Sequence, residues 1–130
     1  MISDLKEEEF TRFFFDTYAF LEILRENKNY SKYINSRIIT TKLNIFELYL
    51  KILREDSEEN AKKILEIYYP FANDFDEEII KMAAHLKKQL NKRNVSMTDS
   101  IGYCLAQQLG IKFLTGDTEF ENMDGVEFVK

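Results

Sequence analysis

Residues 12–27 read RFFFDTYAFLEILREN. The run Phe13 to Phe15 is flanked by charge, too short for a buried helix and aromatic enough for a buried strand. Past Asp16 the period changes. Tyr18, Leu21, Ile23 and Leu24 are spaced as on a helix that stops near Asn27. A strand that runs through one acid straight into a helix sets the alternation that the rest of the chain continues. SRIITT (36–41) reads as a second strand, since β-branched side chains favour the pleat. KLNIFELYLKILRE (42–55) is helical, with Leu43, Phe46, Leu50 and Leu53 on one side and Ile45, Leu48 and Ile52 on another, which implies burial on two sides. SEENAKKILEIY (57–68) reads as a helix, and YYPF (68–71) as a third strand that Pro70 confines to a sheet edge. Residues 76–91 carry Ile79, Ala83, Leu86 and Leu90 at helical spacing, and residues 96–109 form another helix closed by Gly110. IKFLTGD (111–117) is a fourth strand with its turn, and VEFVK (126–130) a fifth. Strands alternating with helices predict an α/β fold of three layers, α/β/α, around a mainly parallel five-stranded sheet.

The chain has 130 residues, of which 45% are hydrophobic, enough to bury a core in one domain spanning 1–130. Residues 1–10, MISDLKEEEF, form an acidic extension before the first strand; they look like neither a secretory signal nor an anchor, so no membrane role is expected. A single cysteine, Cys104, excludes a disulfide framework and suits a reducing, cytoplasmic setting. With a net charge of −5 the whole molecule does not attract polyanions, so such a partner needs local basic patches or bound cations.

On this frame Asp16 and Asp117 fall at the carboxyl ends of parallel strands, the edge at which open α/β sheets bind ligands. Glu47 lies on a helix on the arc of Leu43 and Leu50, and Asp99 opens a helix whose adjacent face carries the small residues Gly102 and Ala106, leaving room for something above them. Carboxylates on apolar arcs are costly unless paired or coordinating. Each also has an innocent reading. Asp16 and Asp117 are good N-caps, Ser96 to Asp99 fits a capping box, and Glu47 can pair with Lys51 one turn on.

Four segments in order narrow the choice: FFFDTYAFL (13–21) with Asp16 and Thr17, TTKLNIFEL (40–48) with Glu47, VSMTDSIGYCLAQQLG (95–110) with Asp99, and FLTGDTEF (113–120) with Thr115, Asp117 and Phe120. In order and spacing, from Arg12 to Val129, the chain resembles the PIN-domain ribonucleases, which include the VapC-type toxins of prokaryotic toxin-antitoxin pairs. The acidic lead is longer than usual for that family. The resemblance implies an endoribonuclease in which Asp16, Glu47, Asp99 and Asp117 hold Mg²⁺ or Mn²⁺, hard cations that take oxygen ligands, with Glu47 bound directly or through water. Thr17 and Thr115 would orient Asp16, Glu119 is a further candidate, and Gly116 would allow the turn that aims Asp117. It implies RNA as substrate, 5′-phosphate and 3′-hydroxyl products, a homodimer, and an antitoxin protein as partner if the chain is a toxin.

Other features carry less. His85 has no partner in the pattern. Lys87, Lys88, Lys92 and Arg93 are candidate phosphate contacts or a solvated helix face, and Tyr30 and Tyr33, set in a polar loop, are candidate base-stacking residues. The competing readings are a non-catalytic PIN-like module that binds RNA or protein, and a doubly wound small-molecule or phosphoacceptor domain. The chain has neither GxxxxGK[ST] nor GxGxxG, which counts against nucleotide-binding forms of the latter.

Overall fold

The computed structural model describes residues 11–130, so the acidic extension 1–10 lies outside the described residues. Five strands form one sheet in the order β3-β2-β1-β4-β5, every neighbouring pair parallel: β1 Arg12–Phe15, β2 Arg37–Thr41, β3 Ala72–Asn73, β4 Lys112–Thr115 and β5 Val126–Phe128. The helices are α1 Thr17–Leu24, α2 Lys42–Glu55, α3 Glu58–Tyr68, α4 Glu77–Gln89 and α5 Met97–Leu109.

Successive strand side chains point to opposite faces, so each central strand feeds two cores. Phe14 and Phe113 enter one with Ile79, Ala83, Ile101 and Leu105 of α4 and α5. Phe15 and Leu114 enter the other with Ala19, Phe20, Leu48, Ile52 and Ala61 of α1, α2 and α3. Helices on both faces make the three-layer α/β/α arrangement predicted for a PIN-like fold.

Two local expectations change. YYPF is not the edge strand. Tyr69–Phe71 is one turn of 3-10 helix, which suits Pro70 because its ring lacks an N–H and presets φ. The edge is Ala72–Asn73, which pairs with Thr40 and Thr41. The space over Gly102 is also already filled: a Cβ there would lie 2.7 Å from the Phe14 ring. The small residue serves helix-to-sheet packing, not a ligand.

Helix α1 ends in a Schellman motif, with Asn27 N–H donating to Glu22 O and Glu26 N–H to Ile23 O, each at 3.0 Å. The left-handed position is held by Glu26, φ 59°, where glycine carries no steric penalty. That conformation costs an L-residue about 1–2 kcal/mol, of which the extra freedom of an unfolded glycine returns ~0.4–1. Glu26→Gly is therefore expected to stabilise the protein by roughly 0.5–1 kcal/mol in urea unfolding, and a loss of stability would refute this account.

Candidate metal centre

Sheet order reverses at β1: β2 and β3 lie to one side, β4 and β5 to the other. The carboxyl ends of β1 and β4 therefore border the crevice where an open α/β sheet receives ligands. Asp16 stands directly after β1, and its N–H donates to Leu114 O at 3.1 Å, carrying the pairing one residue further. Its side chain, only 3% exposed, accepts from the Thr17 N–H at Oδ1 (2.8 Å) and from the Thr115 hydroxyl at Oδ2 (2.7 Å).

Thr115 is fully buried, and the same hydroxyl accepts the Asp117 N–H at 3.1 Å. One threonine thus orients Asp16 and fixes the turn that carries Asp117. That turn needs glycine for space, not for a positive φ: a Cβ on Gly116 would lie 2.3 Å from the Tyr18 ring and 2.4 Å from Val129 O. Thr17 divides its contacts. Its N–H holds Asp16, while its hydroxyl donates to Glu47 Oε1 at 3.0 Å. Lys51, the cation one turn from Glu47, pairs with Glu55 at 2.7 Å instead.

The capping readings are physically present. Asp117 Oδ1 accepts from the Glu119 N–H at 3.0 Å, and Ser96 and Asp99 form a complete capping box. Capping alone would hold a carboxylate low, since N–H bonds favour its charged form. The electrostatics run the other way. Burial, then Asp99, push Asp16 up to about 8, against the hydrogen bonds from Thr115 and Thr17, and Asp117 pushes in the same direction. Asp99 is raised too, first by burial and then by Glu47 and Asp117, despite its bonds to Ser96. The four carboxylates therefore share one field. Among the described residues none of the four forms an ion pair with Lys, Arg or His.

Among the described residues no three acidic, histidine or cysteine side chains already form a metal cage. The donor chemistry nevertheless fits a hard divalent cation: the four acids offer only oxygen, feel one another electrostatically and, among the described residues, form no ion pair.

The remaining candidates separate. Glu119 sits on the Asp117 turn, and its backbone oxygen accepts from Arg93 Nη1 at 3.2 Å. Lys87 donates to Val95 O at 3.0 Å, so these two cations tie loops together, while Lys88, Lys92 and His85 are exposed. Tyr30 and Tyr33 are not stacking platforms. They belong to a 3-10 helix, Lys28–Tyr33, are buried, and donate their hydroxyls to Val129 O and Glu127 Oε2. The sequence reading missed Asn44, fully buried and bonded to Thr17. Its signal was an amide one turn ahead of Leu48 on an apolar helix face. A groove of about 500 Å³ between α1, α2 and α3 has Leu21, Leu24, Ile52, Ile64 and Ile67 in its lining and contains none of the four acids.

The family model described as PIN domain matches residues 13–126. None of the curated proteins matches the chain. Among solved structures, VapBC2 from Rickettsia felis bound to a DNA fragment from its promoter is similar with a TM-score of 0.70 at 14% identity, over 92% of this chain and 100% of that one. VapBC-1 from nontypeable Haemophilus influenzae gives 0.70 at 17%, over 91% and 96%. A toxin-antitoxin complex from Klebsiella pneumoniae gives 0.66 at 14%, over 87% and 93%. At these identities the likeness is one of fold.

Proposed function

The chain belongs to the PIN-domain family, and from that premise we propose that it is a Mg²⁺- or Mn²⁺-dependent endoribonuclease, the toxin of a cytoplasmic toxin-antitoxin pair. The observation that supports the reading is the coupling of Asp16 to Asp99 and Asp117, and of Asp99 to Glu47, beside the sheet's switch point, where burial and repulsion raise Asp16 and Asp99 and, among the described residues, none of the four acids forms an ion pair. Asp16, Asp99 and Asp117 would hold the ion directly, and Glu47 directly or through water. Bound there, such a cation supplies a clamp on the scissile phosphate, a more acidic water as nucleophile and charge stabilisation of the leaving oxygen. The chain's own part is alignment. Thr115 fixes Asp16 and the Asp117 turn together, Thr17 links Asp16 to Glu47, and the capping box steadies Asp99. Purified protein with Mn²⁺ is expected to cleave single-stranded or looped RNA to 5′-phosphate ends, and EDTA to stop it. Cleavage that persists in EDTA would refute the reading.

The toxin assignment is supported by structural relatives solved as toxin-antitoxin complexes. We assign the groove between α1, α2 and α3 to an apolar helical face of the antitoxin, because its isoleucines and leucines are flanked by both signs of charge, Arg25 and Lys63 with Glu55 and Asp56. A homodimer is a separate expectation. The second apolar side of α2 is left open by the described residues, Phe46 66% and Leu53 41% exposed, with Tyr69, 50% exposed, beside Phe46. Light scattering is expected to give twice the chain mass, and Phe46→Glu to halve it; a monomer at high protein concentration would refute the dimer.

A further inference from the structure

Asn44 lies on α2 three residues before Glu47 and is fully buried, a costly place for an amide unless its polar atoms are satisfied. The Thr41 hydroxyl caps the helix by accepting the Asn44 backbone N–H (3.3 Å), and gives its single proton to Asn44 Oδ1 (2.7 Å). With the Thr17 hydroxyl giving its one proton to Glu47, its Oγ1 can only accept from Asn44, which fits the amide turned with Nδ2 toward Thr17 and Oδ1 toward Thr41. Nδ2 is turned to Thr17 and donates to its Oγ1 at 3.2 Å. The Thr17 proton then goes to Glu47 Oε1 at 3.0 Å. The donors run in one direction, from helix cap to carboxylate, crossing from α2 to α1 and back. Turning the Thr17 proton back toward Asn44 would leave Glu47 Oε1 facing an oxygen with no proton to give.

We infer that Asn44 is a positioning residue that acts through the Thr17 hydroxyl to hold Glu47 in the acidic site, a role that rests on the nuclease reading above. Two near-isosteric changes separate this from packing. Asn44→Leu removes the lock on Thr17 but leaves its proton free to find Glu47. Asn44→Asp keeps the shape and reverses the link, because a carboxylate at 44 takes the Thr17 proton and Glu47 loses its donor.

The experiment measures kcat and KM on an RNA oligonucleotide, and Mn²⁺ affinity by calorimetry, for wild type, Asn44→Leu, Asn44→Asp, Thr17→Val and the Asn44→Leu/Thr17→Val double variant. The Asn44 side-chain NH₂ resonances are followed in the metal-free protein. Asn44→Leu is expected to lower kcat and Mn²⁺ affinity by about 10–100-fold with KM for RNA unchanged, as for other groups that orient metal ligands, and Asn44→Asp to lower them further. In the Thr17→Val background Asn44→Leu should cost nothing more, and the Asn44 NH₂ resonances should shift when Thr17 becomes Val. Folded Asn44 variants with wild-type kcat and Mn²⁺ affinity, losses that multiply in the double variant, or NH₂ resonances indifferent to Thr17→Val would each overturn the inference. Wild-type protein that fails to cleave with Mn²⁺ would instead overturn the nuclease reading, while the resonances and Mn²⁺ affinities would still decide whether Asn44 positions Glu47.

Discussion

Asp16→Asn is expected to abolish RNA cleavage and, in the same protein, to raise the melting temperature of the metal-free chain at alkaline pH. The loss of activity should exceed the roughly 100-fold that removing an orienting group costs, because here a ligand itself goes. The stability effect follows from proton linkage. Asp16 in the fold stays protonated up to about 8, against 3.8 for the free side chain, so between those values the native state holds a proton that the unfolded chain has lost. Its contribution is fully present below pH 4 and is lost as pH rises through 8. Asparagine cannot titrate, so the variant lacks that slope. It keeps the acceptor for the Thr17 N–H but puts an NH₂ where Oδ2 accepts from Thr115, a loss of about 1 kcal/mol. The variant should melt slightly below wild type at pH 4 and above it at pH 9. Melting curves that stay parallel across this range would show that Asp16 is not held in a charge-averse site.

Asp99→Asn separates helix cap from metal ligand by the sign of its effect. The substituted amide oxygen still accepts from the Ser96 N–H, the bond that Asp99 Oδ2 makes at 3.0 Å, so the capping box loses charge but not its geometry. Asp99 titrates above its ordinary value through burial, Glu47 and Asp117, and removing that charge should stabilise the metal-free fold above the ordinary carboxylate range. The wild type should also gain about 2.7 kcal/mol when free Mg²⁺ is at ~100 times its dissociation constant, and the variant should lose that gain. If Asp99 only caps α5, the weaker dipole interaction leaves the metal-free variant less stable by about 0.3–1 kcal/mol, and metal acts alike on both proteins. Melting of both proteins with EDTA and with Mg²⁺ decides it: a less stable metal-free variant with an unchanged metal shift removes Asp99 from the site.

Much of this protein is written in local pattern. The jump from the period of RFFF to that of TYAFLEIL marks strand and helix because one residue type, apolar, falls on faces set by backbone geometry alone. The alternation of such segments implies parallel strands, and parallel strands put Asp16 and Asp117 at one edge whatever the details of packing. Places, unlike types, depended on neighbours distant in the chain. Gly102 and Gly116 look alike as small residues near acids, yet one makes way for Phe14 and the other for Tyr18 and Val129 O. Tyr30 and Tyr33 sit among polar residues and are buried because the C-terminal segment supplies acceptors for their hydroxyls, nearly a hundred residues away. Glu47 could have paired with Lys51 by spacing. Only the packing of α1 against α2 brings Thr17 to it, with Asn44 behind. Periodicity reports which face a residue occupies, because that is fixed within a few residues of backbone. What a buried polar atom bonds to is decided by desolvation once the chain has closed, and only tertiary contacts can answer that cost.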